Sequence, residues 1–320
     1  MKNLLKILPL IPLCLACSND IGEGPGGQKD KTIGFGAKME QTRAVAVLSD
    51  IQANGFSVWG GFSANEHLFD GRKVTYAGGQ WGYTNPEVWT FNTYNFHGIY
   101  PATDAGAYTT CATTNNNLRL EIKGFDANSE IDLLHATEQD LDGSTAPFVN
   151  LSFKHTLTNV SVQLAKHKDN ATDDIKVKQV YLLGLSTQGD YKWTKEGDNI
   201  TATWNLTEGQ TPTNMGQVFS ESLETGTYKD FLTDMLLMPQ PVHPENHPVV
   251  LLIVYDYAIS GGETIENNIL YTMLPENPVW DMNKKITYKA TIHAQKDIIF
   301  ATPIVEEWGS AQVGGTIIIK

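Results

Sequence analysis

Short runs of β-branched and aromatic residues recur along almost the whole chain, each closed by a cluster of Gly, Asn, Asp or Pro. This punctuation leaves room for little except strands. Candidate strands cover residues 55–62, 72–76, 95–100, 118–122, 149–153, 160–164 and 177–183. Others cover 200–204, 234–238, 249–257, 269–273, 286–293 and 298–300. Turn signals fall about every 8–20 residues, a spacing that suits β-sandwiches better than βαβ units. In 286–293, Ile286, Tyr288, Ala290 and Ile292 alternate with Thr287, Lys289, Thr291 and His293, the mark of a half-buried strand. Helix signals are scarce: 131–136 reads as one turn and 228–233 as another. The charged, non-periodic stretch 137–145 gives way to renewed strands near 146–150. The expectation is an all-β chain of two stacked β-sandwiches, 32–148 and 149–320.

The first residues read as processed sequence. Lys2 and Lys6 precede an apolar run over 4–16, too short to span a bilayer and interrupted by Pro9 and Pro12. Small Ala16 precedes Cys17, and residues 1–16 resemble a lipoprotein signal peptide with Cys17 as the acylated N-terminus. Such signals usually carry Leu three positions before the cysteine; this chain has Cys14. Each buried methylene of an acyl chain adds roughly 0.8 kcal/mol of membrane affinity. Residues 17–31, rich in Gly and charge, read as a flexible tether.

Past residue 16, roughly 300 residues remain, enough for two domains. Lys and Arg number 23 against 36 Asp and Glu, and the net charge of −13 argues against nucleic acid or an anionic membrane surface as partner. Beyond the leader there is one internal cysteine, Cys111; with Cys17 acylated no intramolecular disulfide can form, so an exported chain must rely on its hydrophobic cores.

No catalytic constellation emerges, and no cofactor or metal is expected. His243 and His247 have the spacing of a metal-binding helix, but Pro244 and Pro248 oppose a helix there. The acidic run 169–174 lacks the glycine and terminal glutamate of an EF-hand and reads as a solvated hairpin turn. Ser186 and Ser260 lack a nucleophile-elbow context. Glu306 and Glu307, adjacent in a strand, point to opposite faces and cannot share one site. Trp59, Trp81, Trp89 and Trp280 read as sandwich core rather than as a glycan platform.

Residues 32–47 read differently from the rest. Two short β segments, 32–39 and 43–47, are joined by a polar link ending at Arg43. The first places Ile33, Phe35, Ala37 and Met39 on one face. The chain ends on another apolar run, 313–320, with Val313, Gly315, Ile317 and Ile319 on one face. An undocked apolar terminal strand is an aggregation hazard, so it either pairs within its own sandwich or docks on a neighbour.

Several motifs together resemble the fimbrillin family, the pilin-like lipoproteins of protease-matured (type V) pili. They begin with Thr42-Arg43-Ala44, then Phe56-Ser57-Val58-Trp59-Gly60, Trp81 and the run Phe96-His97-Gly98-Ile99-Tyr100-Pro101. Asp132-Leu133-Leu134, Phe153-Lys154-His155 and Met238-Pro239-Gln240 follow. The stretch from Trp280 to Tyr288 and the run ending at Trp308 close the series. Where the family usually has Gly before Lys, this chain has Asn283-Lys284, and Asn also tolerates a left-handed turn.

The resemblance implies transthyretin-like sandwiches, a location at the outer membrane and cell surface through the lipid anchor, and assembly with other pilus subunits. It implies that an arginine-specific protease cuts between Arg43 and Ala44, displacing the strand of Ile33, Phe35, Ala37 and Met39. A donor strand, for which 311–320 with Val313, Ile317 and Ile319 is the candidate, refills the groove by β-augmentation. The alternative is a monomeric surface lipoprotein binding a glycan or host ligand.

Overall fold

The computed structural model describes residues 31–39, 48–62, 68–106, 108, 110–114, 119–244 and 247–308. In chain order the elements begin with β1 (Phe35–Met39), α1 (Leu48–Asn54), β2 (Phe56–Gly61), β3 (Phe69–Ala77), β4 (Gln80–Gly82) and β5 (Thr93–Tyr100). Next come β6 (Thr110–Thr114), β7 (Arg119–Asp126), β8 (Leu134–Asp142), β9 (Val149–His155) and β10 (Thr158–Lys166). Then follow β11 (Asp174–Leu185), β12 (Gln188–Glu196), β13 (Asn199–Leu206), β14 (Thr213–Ser222) and β15 (Lys229–Leu237). The last are β16 (Val250–Ala258), β17 (Thr264–Met273), β18 (Lys284–His293), β19 (Asp297–Phe300) and β20 (Ile304–Glu307). The chain is all β and built as stacked sandwiches.

The first sheet has seven strands in the order β1-β9-β8-β5-β2-β3-β4. Every pair in it is antiparallel except β1 with β9. β2 and almost all of β5 are buried along their length, because both faces of this sheet are covered. Phe56, Val58 and Phe96 face one core, with Ile33, Phe35 and Ile51. Trp59 and Ile99 face another, with Leu120, Ile122, Tyr191 and Trp193 of the sheet β13-β12-β7-β6.

A further sandwich packs β10, β15 and β18 against β11 and β16. Val160, Val162, Ile286 and Tyr288 on one sheet meet Val177, Val180, Leu251 and Ile253 on the other. In β18 the expected alternation is present, with Ile286, Tyr288, Ala290 and Ile292 buried. Trp280 is buried beside it and donates from Nε1 to Tyr288 Oη at 3.0 Å. Asn283, which replaces the expected glycine, has φ +58 and keeps the left-handed turn.

Register rather than chain proximity decides where three segments belong. Val149–His155, placed by the sequence in the second sandwich, lies between β1 and β8 in the first sheet. The β12–β13 hairpin of the later half pairs with β7. The run 169–174 joins β10 to β11, which lie in different sheets, so it is a crossover and not the expected hairpin turn.

Both expected helical turns are strands. Residues 134–136 open β8, and 229–233 open β15. In β8 the residues Leu134, His135 and Ala136 are all buried, so covering on both faces erases the alternation that would mark a strand. The one α-helix among the described residues, α1, is too short to show a periodicity; Gly55 with φ +75 ends it, its amide donating to Ile51 O at 2.8 Å.

Candidate functional site

The first strand sits in a slot with a wall on each side. Its leading residues meet the segment after β4: Ile33 N donates to Glu87 O at 2.8 Å, Trp89 N donates to Lys31 O at 2.9 Å, and Thr32 bridges Val88. On the other side Val149 N donates to Gly34 O at 2.9 Å. From there β1 runs parallel to β9, with Phe35 opposite Val149 and Met39 opposite Phe153. Lifting residues 31–39 out would leave backbone groups of β9 and of 87–89 without these partners, an open edge of the kind that accepts another strand.

Side chains fill the slot from within. Ile33 and Phe35 are 0% and 2% exposed, and Ala37 and Met39 pack against the same core. The Phe35 ring meets Phe69 at 5.1 Å, Phe96 at 5.3 Å and Tyr83 at 5.7 Å between centroids, all edge to face. Burying Ile33 and Phe35 contributes roughly 3–6 kcal/mol at about 1.5–3 kcal/mol each. Gly34 and Gly36 take the opposite face, where the exposed Phe148 ring lies 2.8 and 2.7 Å from the position a β-carbon would occupy.

Tyr83 and Arg72 brace the wall. Tyr83 Oη donates to Ile33 O at 2.8 Å and accepts from Glu87 N at 3.2 Å, and burial raises its phenol above the ordinary range. Arg72 donates to Glu87 Oε1 at 3.0 Å, Asn85 O at 2.9 Å and Leu68 O at 3.0 Å. Its guanidinium lies 4.8 Å from the centre of the Phe69 ring.

Of the residues singled out in sequence, Ile33, Phe35, Ala37 and Met39 come together in this slot. Cys17, Arg43, Ala44, Val313, Ile317 and Ile319 lie outside the described residues, as do the segment 43–47 and the tail. The wall residues Tyr83, Arg72, Phe69 and Phe148 were missed. The aromatic character of Tyr83, Phe69 and Phe148 is visible in sequence, but nothing local ties these four residues to a strand that lies roughly 30 to 115 residues away in the chain.

A second cavity, of about 460 Å³, opens between β8, β9, β12 and β13. His135, His155, Tyr191 and Trp193 line it. His155 Nδ1 pairs with the Asp132 carboxylate at 2.9 Å, and its ring stacks on Trp308 at 3.8 Å and 5°. Its Nε2 is buried without a hydrogen-bond partner among the described residues. Trp59 and Trp280 are core, as expected. Burial pushes the Cys111 thiol up, with Asp70 adding to the effect, so the reactive thiolate is disfavoured. His243 bonds through Nε2 to Leu274 O.

A family model described as fimbrillin-like matches residues 42–308. A comparison with curated proteins found no match. Among solved structures, a fimbrial protein from Bacteroides vulgatus is 19% identical with a TM-score of 0.62, over 87% of this chain and 99% of that one. A provisionally assigned cell adhesion protein from Parabacteroides distasonis is 8% identical with a TM-score of 0.55, over 88% of this chain and 98% of that one. A similarly assigned protein from Bacteroides ovatus is 12% identical with a TM-score of 0.50, over 88% and 99%. At these identities the likeness is one of fold.

Proposed function

The chain belongs to the fimbrillin-like family, and on that premise we propose that it is a structural subunit of a surface pilus, matured by removal of its first strand. The precursor is exported as a lipoprotein held at the outer membrane through Cys17. An arginine-specific protease cuts after Arg43, leaving Ala44 as the new N-terminus. The slot of Ile33, Phe35, Ala37 and Met39 is then refilled by a strand from another subunit, with Val313, Ile317 and Ile319 as the donor side chains. The fibre supports adhesion, and the family favours a structural rather than a catalytic role.

The observation that carries this reading is the two-sided seat of residues 31–39. The strand is bonded to 87–89 and to β9, and its side chains end in an aromatic pocket, with Arg43 a few residues beyond it in sequence. The family match begins at residue 42, so this strand lies outside the shared region. While the strand is seated, the slot is blocked, which keeps the precursor monomeric until it is cut.

The test is to incubate purified precursor with a trypsin-like protease. Loss of the N-terminal segment followed by ladders on a gel supports the reading, and deletion of 313–320 abolishes the ladders without unfolding the subunit. A cut chain that stays monomeric at high concentration rules out polymerisation by strand exchange. A second reading, a monomeric surface lipoprotein binding a glycan or host ligand, draws on the cavity of His155, Tyr191 and Trp193. It predicts that ligand binding survives cleavage and that Trp193→Ala abolishes it.

A further inference from the structure

We propose that the ends of β10 and β18 form a binding site for one divalent transition-metal ion, held by His167, Asp169 and His293. The two strands are parallel neighbours with Lys166 opposite Ile292, so the next residues, His167 and His293, arrive at the same level. His167 N donates to Ile292 O at 2.9 Å and fixes that alignment. Neighbouring strands lie about 4.8 Å apart, and the two imidazole rings accordingly stack with centroids 4.5 Å apart and planes 24° apart.

The turn Lys168–Asn170 then folds Asp169 back over the pair. Its Oδ2 lies 3.6 Å from His167 Nδ1 and 3.7 Å from His293 Nε2. One donor atom from each of the three residues falls within 4.8 Å of the others. Ligands about 2.1 Å from a tetrahedral ion are roughly 3.4 Å apart, so the carboxylate is within a few tenths of an ångström of its place.

The neighbours of both rings suit the tautomers that ligation needs. His167 Nδ1 accepts the amide of Asp169 at 3.2 Å, which puts its proton on Nε2 and leaves the Nδ1 lone pair toward Asp169. An ion would take over this long bond. His293 Nδ1 lies 3.4 Å from Asp297 Oδ1 and its Nε2 lies 3.7 Å from Asp169 Oδ2, so a proton held on the Asp297 side would leave the Nε2 lone pair toward Asp169. A carboxylate behind a ligating histidine fixes its orientation and raises its basicity.

The turn is anchored independently of these three residues. Asn170, buried beneath it, accepts from Ala294 N at 3.1 Å and donates to Asp173 Oδ2 at 3.1 Å; Tyr257 Oη donates to the same oxygen at 2.8 Å. A site on two strand ends and a braced turn needs little reorganisation to bind. The histidine side chains are largely covered, at 20% and 12% exposure, while Asp169 is open at 53%, leaving a fourth position for water. Two imidazoles and one carboxylate suit zinc or its neighbours rather than calcium or magnesium, which take oxygen ligands. The sequence hides this site because His293 lies more than a hundred residues from His167 and Asp169.

The test is titration of the full chain, stripped with chelator, with zinc chloride by calorimetry. One equivalent is expected, weakened at least tenfold in both His167→Ala and His293→Ala and about tenfold in Asp297→Asn. The His243→Ala, His247→Ala double variant keeps full affinity. Cobalt provides a second readout, its visible bands in the wild type disappearing in His167→Ala, His293→Ala. Circular dichroism checks that each variant is folded. Absence of zinc binding by the wild type, or equal binding by the double variant at His167 and His293, overturns the proposal.

Discussion

Tyr83 Oη donates a 2.8 Å hydrogen bond to the main-chain carbonyl of Ile33, so the segment after β4 holds the first strand by a side chain as well as by its backbone. The same oxygen accepts from Glu87 N, and Phe35 packs beside the Tyr83 ring. One residue thus ties the far wall of the slot to its occupant.

Tyr83→Phe keeps the ring and removes both bonds. The carbonyl of Ile33 and the amide of Glu87 lose a partner in a partly buried place, which costs about 1–3 kcal/mol. Urea unfolding of the intact chain checks the magnitude. Release of the first strand after proteolysis, followed by mass spectrometry, should be faster in the variant.

Phe35→Ala separates the seated strand from the displaced one. In the uncut chain the loss of a ring packed among Phe69, Phe96 and Tyr83 costs about 3–5 kcal/mol. In the cut and assembled protein the residue has left, and the variant should match the wild type. Equal destabilisation in both forms, read by thermal melts before and after cleavage, means that the strand stays in its seat.

Most strands were legible because they keep one face in the core, as in β18, where alternate residues from Ile286 to Ile292 are buried. β8 was not legible, since Leu134, His135 and Ala136 are all buried and imitate an apolar helical turn. The place of β9 depends on its register with β1, a pairing across more than a hundred residues that no local pattern encodes. For the slot the same division holds. Ile33 and Phe35 declare a buried face through their spacing, whereas Tyr83 and Arg72 become a wall only once β3 and β4 have paired.

Gly60→Ala should unfold the centre of the first sheet. Gly60 has φ +151, outside the range that other residues adopt readily. A β-carbon there would stand 2.4 Å from Asn95 O and 2.6 Å from the Phe96 ring. The backbone of β5 must move to accept it, at a cost of more than about 2 kcal/mol. The variant should be poorly expressed or show a much lower melting temperature, whereas Gly82→Ala, with open space around the added carbon and no left-handed backbone to strain, should differ little.

His135 should make the fold sensitive to acid. Its ring is buried between His97, whose Nδ1 lies 3.1 Å from His135 Nε2, and Tyr191, whose Oη lies 3.0 Å from His135 Nδ1. Burial first, and His97 second, hold its pKa well below the ordinary 6.5. The native ring therefore stays neutral while the unfolded ring gains a proton as pH falls through 6.5. The unfolded state then binds more protons, so this contribution to stability is fully present above that pH and is lost below it, by up to about 1.4 kcal/mol per pH unit. His135→Gln replaces the ring by an amide that does not titrate, and the histidines that do not touch it contribute equally to both chains; His97, in contact with it, is replaced by Gln in both chains of a second pair so that the comparison isolates His135. Urea unfolding from about pH 7 down to about pH 5 should show a shallower loss of stability in the variant, whatever its starting value. Parallel slopes would show that the wild-type ring accepts its proton within the fold.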